Sequence, residues 1–229
     1  MMNDRPAGLL PRQDVVELAA RGAIRAQTPV LDNQYQPASL DLLLGSKAYR
    51  LRASFLPGRG VTIERRLDTI ALHEIDISQG AVLERGCVYL VKLQEELCLP
   101  ADISCSTNPK SSTGRLDVFS RVISDAGGEF DRVPAGYAGA LYAEISPRTF
   151  SVVVRAGSRL NQARFRRGDA TISDADLLAL HKSEVLVDDT VNIEAGLKLS
   201  VDLRGQASHG VIGYRAQRHT DVIDVDSVA

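Results

Sequence analysis

The sequence has no apolar run long enough to cross a membrane: stretches such as Leu42–Leu44 and Val152–Val154 stop far short of the roughly 18 residues a span requires. No membrane partner is expected, and the protein reads as soluble. Net charge is also nearly absent, with 27 Lys and Arg against 29 Asp and Glu in 229 residues. Such a chain has no global field to hold it on nucleic acid, so no nucleic-acid partner is expected and any bound anion must be met by local cations. Cysteine is scarce and unpatterned. Cys87, Cys98 and Cys105 are odd in number and irregular in spacing, which argues for reduced thiols in the cytoplasm over a disulfide framework. All three are read as small buried or half-buried residues. Met1–Pro6 carries both charge signs and no apolar core of a secretory signal.

Several catalytic patterns are missing as well. There is no Walker phosphate loop, no dinucleotide-binding glycine fingerprint and no nucleophile elbow. His73 and Glu74 are adjacent, which is not His-x-Glu, and no Cys-x-x-Cys follows to complete a zinc deaminase site. No metal-ligating residues are therefore assigned, and no zinc is expected. Internal repeats and low-complexity segments are absent too.

What is present is mostly strand language. Pro11 and Gly22 bracket one short helical pattern, with Val15, Leu18 and Ala19 at helical spacing. From Ser39 the period becomes two, as in Leu40, Leu42 and Leu44. Further strands are expected over residues 49–52, 61–65, 69–77, 88–93, 141–145, 150–155 and 160–165, with Gly, Pro and Asp between them. A second helix is expected over 174–182, where Ser173 can cap it and Asp176 stands at the capping-box position. Leu197, Leu199, Val201 and Leu203 alternate like a half-buried strand. Many short strands imply a mainly β sandwich or barrel with a short N-terminal helix and one further helix. One domain is expected over residues 1–205, followed at 206–229 by a tail that reads as a mobile flap, a lid or the start of a second domain.

The densest polar constellation is Asn108-Pro109-Lys110-Ser111-Ser112-Thr113-Gly114-Arg115. Short hydroxyl donors flanked by cations suit phosphate oxygens, and Arg adds a forked contact. From composition alone a Ser-rich turn with solvated charges is an equal reading.

Four blocks bear on that choice: Gln36–Leu42, Lys110–Leu116, Gly136–Glu144 and Ala156–Phe165. In order and register they resemble the dCTP deaminase and dUTPase family, over roughly residues 10 to 170. The resemblance implies a dUTPase-like distorted β-barrel or jelly roll, assembled as a homotrimer with active sites between subunits. It also implies deamination of dCTP to dUTP and ammonia in pyrimidine deoxynucleotide synthesis. Longer family members carry a second, related domain, so the chain can also be read as the N-terminal part of one. In the dUTPase branch the position two before Gly136 is a water-activating Asp, whereas here it is Pro134. A dUTP diphosphatase is therefore disfavoured. A bifunctional deaminase and diphosphatase stays open, as does a non-catalytic nucleotide-binding or scaffold trimer. In the deaminase branch the acid follows the Gly-Tyr-x-Gly turn, where Glu144 stands. A family His near residue 121 is replaced by Arg121.

The roles that follow are those the resemblance implies. Glu144 would take a proton from water at cytosine C4 and return protons to N3 and ammonia, with Ser111 and Arg115 orienting that water and stabilising the adduct. Lys110 and Ser112 would hold the triphosphate, with Mg²⁺ bridging phosphate oxygens. Tyr137 would pack against the deoxyribose, and Gln162 would touch the nucleotide or support the sheet. Arg164, Arg166 and Arg167 read as a solvated strand end and are left unassigned, while Tyr214, Arg215 and Arg218 faintly resemble a nucleotide-closing lid.

Overall fold

The computed structural model describes residues 7–58, 60–125, 127–188, 190–205, 209–215 and 221–227. Met1–Pro6 and Arg218, named above, lie outside them. Contacts divide the chain into two compact units, residues 1–169 with 219–229 and residues 170–218.

The larger unit is built from nine principal strands: β1 (Ser39–Leu42), β2 (Leu44–Leu51), β3 (Ala71–Asp76), β4 (Val88–Cys98), β5 (Ile103–Pro109), β6 (Val118–Ser124), β7 (Ala138–Pro147), β8 (Val152–Val154) and β9 (Asn161–Arg167). One antiparallel sheet runs in the order β5, β9, β1, and the other in the order β6, β7, β4, β2, β3, each widened by shorter strands. Between them lies one core, to which Leu40, Leu42, Ile103, Ala163 and Phe165 contribute from the first sheet and Val91, Val122, Ala143 and Ile145 from the second. Alternation explains the sidedness: along β9, Ala163 and Phe165 are buried while Gln162, Arg164 and Arg166 between them are only half-buried. The result is a mainly β fold of two facing sheets, as expected from the strand periodicity.

Helix α1 (Arg12–Ala20) begins after Pro11 and ends at Gly22, whose φ of 75° lets the Gly22 and Ala23 amides reach back to the Ala19 and Leu18 carbonyls. Two further helices are added to the expected pair. Residues 61–65, read as a strand, instead open helix α2 (Ile63–Ile70), and β3 begins only at Ala71. The missed signals are Thr62, whose hydroxyl accepts from the Arg65 amide, and the i,i+4 pair Ile63 and Leu67. An eight-residue helix is marginal alone, and burial of those two side chains, worth roughly 1.5–3 kcal/mol each, holds it on the sheet. There it covers Leu51, Leu90, Ile123 and Tyr142, the sheet face that also carries Glu144. The Ser-rich block is itself a short helix, α3 (Ser111–Arg115).

At the acidic end of the chain, Ile223–Asp224 adds a parallel strand to β8, and Arg155 pairs with Asp224 at 2.6 Å and Asp226 at 2.7 Å. The paired guanidinium holds the Asp224 carboxyl down at about 2.

In the smaller unit, α4 (Asp174–Ser183) is capped by the Ser173 hydroxyl, and Asp174 accepts from the Ala195 and Gly196 amides. The half-buried strand expected over 197–203 shrinks to Leu197–Lys198, leaving Leu199, Val201 and Leu203 more than 70% exposed. Tyr214 and Arg215, the described members of the lid resemblance, are exposed.

Candidate active site

Five of the seven residues expected to act on substrate line one recess of about 480 Å³: Lys110, Ser111, Ser112, Arg115 and Gln162. Backbone and side-chain bonds bring their segments together. The Lys110 amide donates to the Leu160 carbonyl at 2.9 Å, and so does the Thr113 hydroxyl, which pins α3 to the start of β9. Ser39 on β1 donates to the Gln162 amide oxygen at 2.8 Å. Blocks that lie more than a hundred residues apart in sequence thus share one wall.

Charge in this recess is partly committed. Asp41, opposite Gln162 in the β1–β9 register, is 1% exposed and pairs with the Lys110 ammonium through Oδ2, while Oδ1 has no partner among the described residues. Arg159 approaches the same carboxylate at 4.0 Å. Beneath it Glu95 is fully buried, accepting from Gln34 Nε2 at 2.7 Å and the Leu43 amide at 2.9 Å, and burial pushes its carboxyl up. The surplus of Lys110, Arg115 and Arg164 over Asp41, beside two serine hydroxyls, suits an anion with several oxygens. A bare cation is a poor match, so Mg²⁺ fits here only when it arrives on phosphate oxygens.

Glu144 does not line this recess. It lies on β7 with Arg121 of β6 and Leu90 of β4 as its cross-strand neighbours, and it is 2% exposed. As strand alternation predicts, it points away from Ala143 and Ile145, which enter the main core. Its Oε1 accepts from Arg121 Nε at 2.9 Å, and its buried Oε2 has no partner among the described residues. A buried carboxylate with one oxygen tied and the other free is suited to moving a proton at the free oxygen.

Tyr137 is also outside the recess. Its ring is 6% exposed, its hydroxyl donates to the Ala140 carbonyl at 2.6 Å and accepts from the Asp125 amide at 3.2 Å, and burial pushes the phenol up to about 12. Within one chain this tyrosine braces the turn before β7 and offers little ring face.

The family model for the 2'-deoxycytidine 5'-triphosphate deaminase N-terminal domain matches residues 6–169, and that for its C-terminal domain matches residues 173–229. The chain belongs to the dCTP deaminase family. A crystal structure of 2'-deoxycytidine 5'-triphosphate deaminase from Agrobacterium tumefaciens is similar with a TM-score of 0.89 and 55% identity, covering 97% of this chain and 67% of that one. A "dCTP deaminase, dUMP-forming" from Coprothermobacter proteolyticus is 30% identical over 144 residues, 60% of this chain and 70% of its own length. Deamination of dCTP is the family's activity, and this chain is an enzyme of that kind.

The recess holds a residue that the sequence reading left unassigned. Arg164, read as part of a solvated run, lines the recess, and its Nη1 donates to Asn108 at 2.7 Å. Arg167 of the same run is not solvated either, being buried and paired with Asp102 at 2.9 Å, but it does not line the recess. The two-residue period that places Gln162 on the recess face also places Arg164 there, so strand alternation was an available signal. Asp41 and Glu95 carried none, because a buried acid in a strand is recognised only once its partners are known. Of the cysteines, Cys105 is buried, with burial pushing its thiol up to about 12, and Cys87 is half-buried, but Cys98 is exposed at the end of β4 and corrects the expectation. Among the described residues no group of three or more His, Cys, Asp and Glu side chains could hold a metal ion. No described helix is long and apolar enough to cross a membrane.

Proposed function

We propose that this chain hydrolyses dCTP to dUTP and ammonia without zinc, in the cytoplasm, at sites completed between the subunits of a homotrimer. The observation that carries the shared site is the separation just described: α3, β1 and β9 furnish an anion-binding recess, and Glu144 stands outside it. A site needing both is completed if a second copy presents its β7 to the recess. Water would attack C4 as it gives one proton to Glu144 Oε2, which passes it to N3; Glu144 would then take the second proton from the adduct's C4 hydroxyl and give it to the departing amine, so that the water oxygen becomes the new carbonyl and ammonia leaves. Ser111 and Arg115 would orient the water and offset charge on the tetrahedral adduct. Lys110 and Ser112 would hold the triphosphate, whose Mg²⁺ offsets phosphate charge when bound. Gln162 is placed against the nucleotide, and Tyr137 against the deoxyribose with whatever edge the assembled subunits leave open.

One observation favours a second reading. The relative from Coprothermobacter proteolyticus is named dUMP-forming, while Pro134 offers no ionisable group to a diphosphatase water. Incubation with dCTP and Mg²⁺ followed by chromatography separates the two: dUTP with ammonia supports the deaminase alone, dUMP with pyrophosphate the bifunctional reading, and unchanged dCTP with the fold intact refutes both. In the same assay a zinc-selective chelator should leave the rate unchanged, whereas removing Mg²⁺ should raise KM for dCTP. Stoichiometric zinc in active protein would overturn the zinc-free mechanism.

A further inference from the structure

The groups around Glu144 bear on how a buried carboxylate is kept ready to act as a base, and this step rests on the assignment of Glu144 made above. Arg121 donates from Nε to Glu144 Oε1 at 2.9 Å and from Nη2 to the Ser54 hydroxyl at 2.8 Å. Its guanidinium lies 3.5 Å from the centre of the Phe130 ring and 5.0 Å from that of Phe119. Two rings and two hydrogen bonds leave that plane one orientation. Arg121 also lines a recess with Gly114 of α3, a recess that Glu144 does not line.

We propose that Arg121 is the positioning residue of this deaminase: by holding Oε1 it turns Glu144 so that Oε2, and not Oε1, meets the attacking water. The other titratable groups about this sheet face are Tyr142 on Glu144's own strand, Glu64 on α2, to which that phenol donates at 3.4 Å, Asp125 at the end of β6, Asp131, Tyr49 and Lys47 on β2, and Lys92 on β4; the two lysines pair elsewhere, Lys47 with Glu74 at 2.8 Å and Lys92 with Glu96 at 2.9 Å. Asp131 feels Arg121 as well, yet its carboxylate is occupied by the Val122 amide and the Thr107 hydroxyl, each at 2.8 Å. Arg121 is thus the cation that Glu144 contacts.

Arg121→Met keeps much of the bulk between the rings and removes the charge. With its orienting partner gone, Glu144 should present Oε2 to the water less often, so kcat for dCTP should fall roughly tenfold to a hundredfold while KM stays within a few-fold, and Arg121→Lys, which restores a donor, should recover part of the loss. The ¹³C resonance of the labelled Glu144 carboxyl, assigned by its loss in Glu144→Gln, should move in Arg121→Met at one fixed pH. This readout holds even if the variant turns over poorly. An unchanged kcat and an unmoved resonance in folded Arg121→Met, with Glu144→Gln inactive, would overturn the role of Arg121 and leave the base assignment standing. An active Glu144→Gln would instead remove the base assignment on which it rests.

Discussion

Glu144→Gln should lower turnover of dCTP by at least roughly two orders of magnitude while changing nucleotide binding little. The amide is isosteric with the carboxylate, and its oxygen can still accept from Arg121 Nε, the bond now made at 2.9 Å. It cannot take a proton from water or return one to N3. Neither the recess formed by Lys110, Ser111, Ser112, Arg115 and Gln162 nor its anion-binding groups depend on that side chain. Binding and chemistry should therefore separate, with kcat falling and the apparent dCTP affinity, measured by calorimetry, staying within a few-fold. One cost is foreseeable: the half-buried guanidinium loses its counter-charge, so the variant should also be somewhat less stable. Turnover near normal in Glu144→Gln would place the base elsewhere.

How much of this site could be read from the chain depends on the kind of signal each part carries. Strands whose alternation is set by one buried face, such as β7 and β9, declared themselves, because a period of two follows from the pleat. Residues 61–65 misled, since Val61 and Ile63 alternate over a stretch too short to tell two from 3.6, and the cap at Thr62 was the better guide. The four motif blocks located the recess because three of them, around Ser39, Ser111 and Gln162, are stitched by hydrogen bonds in the folded unit. What sequence could not supply was partnership. Nothing in the spacing of Arg121 and Glu144, 23 residues apart, says that they are cross-strand neighbours. Nor does the motif at Gly136–Glu144 reveal that Tyr137 spends its hydroxyl on the turn backbone.

The assembly gives the second large effect. Arg115→Ala removes an exposed side chain at the end of α3, where it lines the recess, so the fold should survive. If Arg115 offsets charge on the adduct, its loss should lower kcat by roughly a hundredfold to a thousandfold, comparable to removing one oxyanion-stabilising donor. Alone, that result would not say which subunit supplies the arginine. Co-expression of an Arg115→Ala chain with a Glu144→Gln chain does. In the proposed three-fold ring each boundary is the same, so a shared site would take Arg115 from one subunit and Glu144 from its neighbour. With equal, random mixing, a site is intact when the first subunit is the Glu144→Gln chain and the second the Arg115→Ala chain, which happens in about a quarter of sites. Two nearly inactive proteins should then yield about a quarter of the wild-type rate. If both residues came from one subunit, every site would keep one defect and mixing would restore nothing. Light scattering on the same samples supplies the remaining check: a fully active monomer would refute the shared site, and a trimer with no recovered activity would assign Glu144 and Arg115 to a single chain.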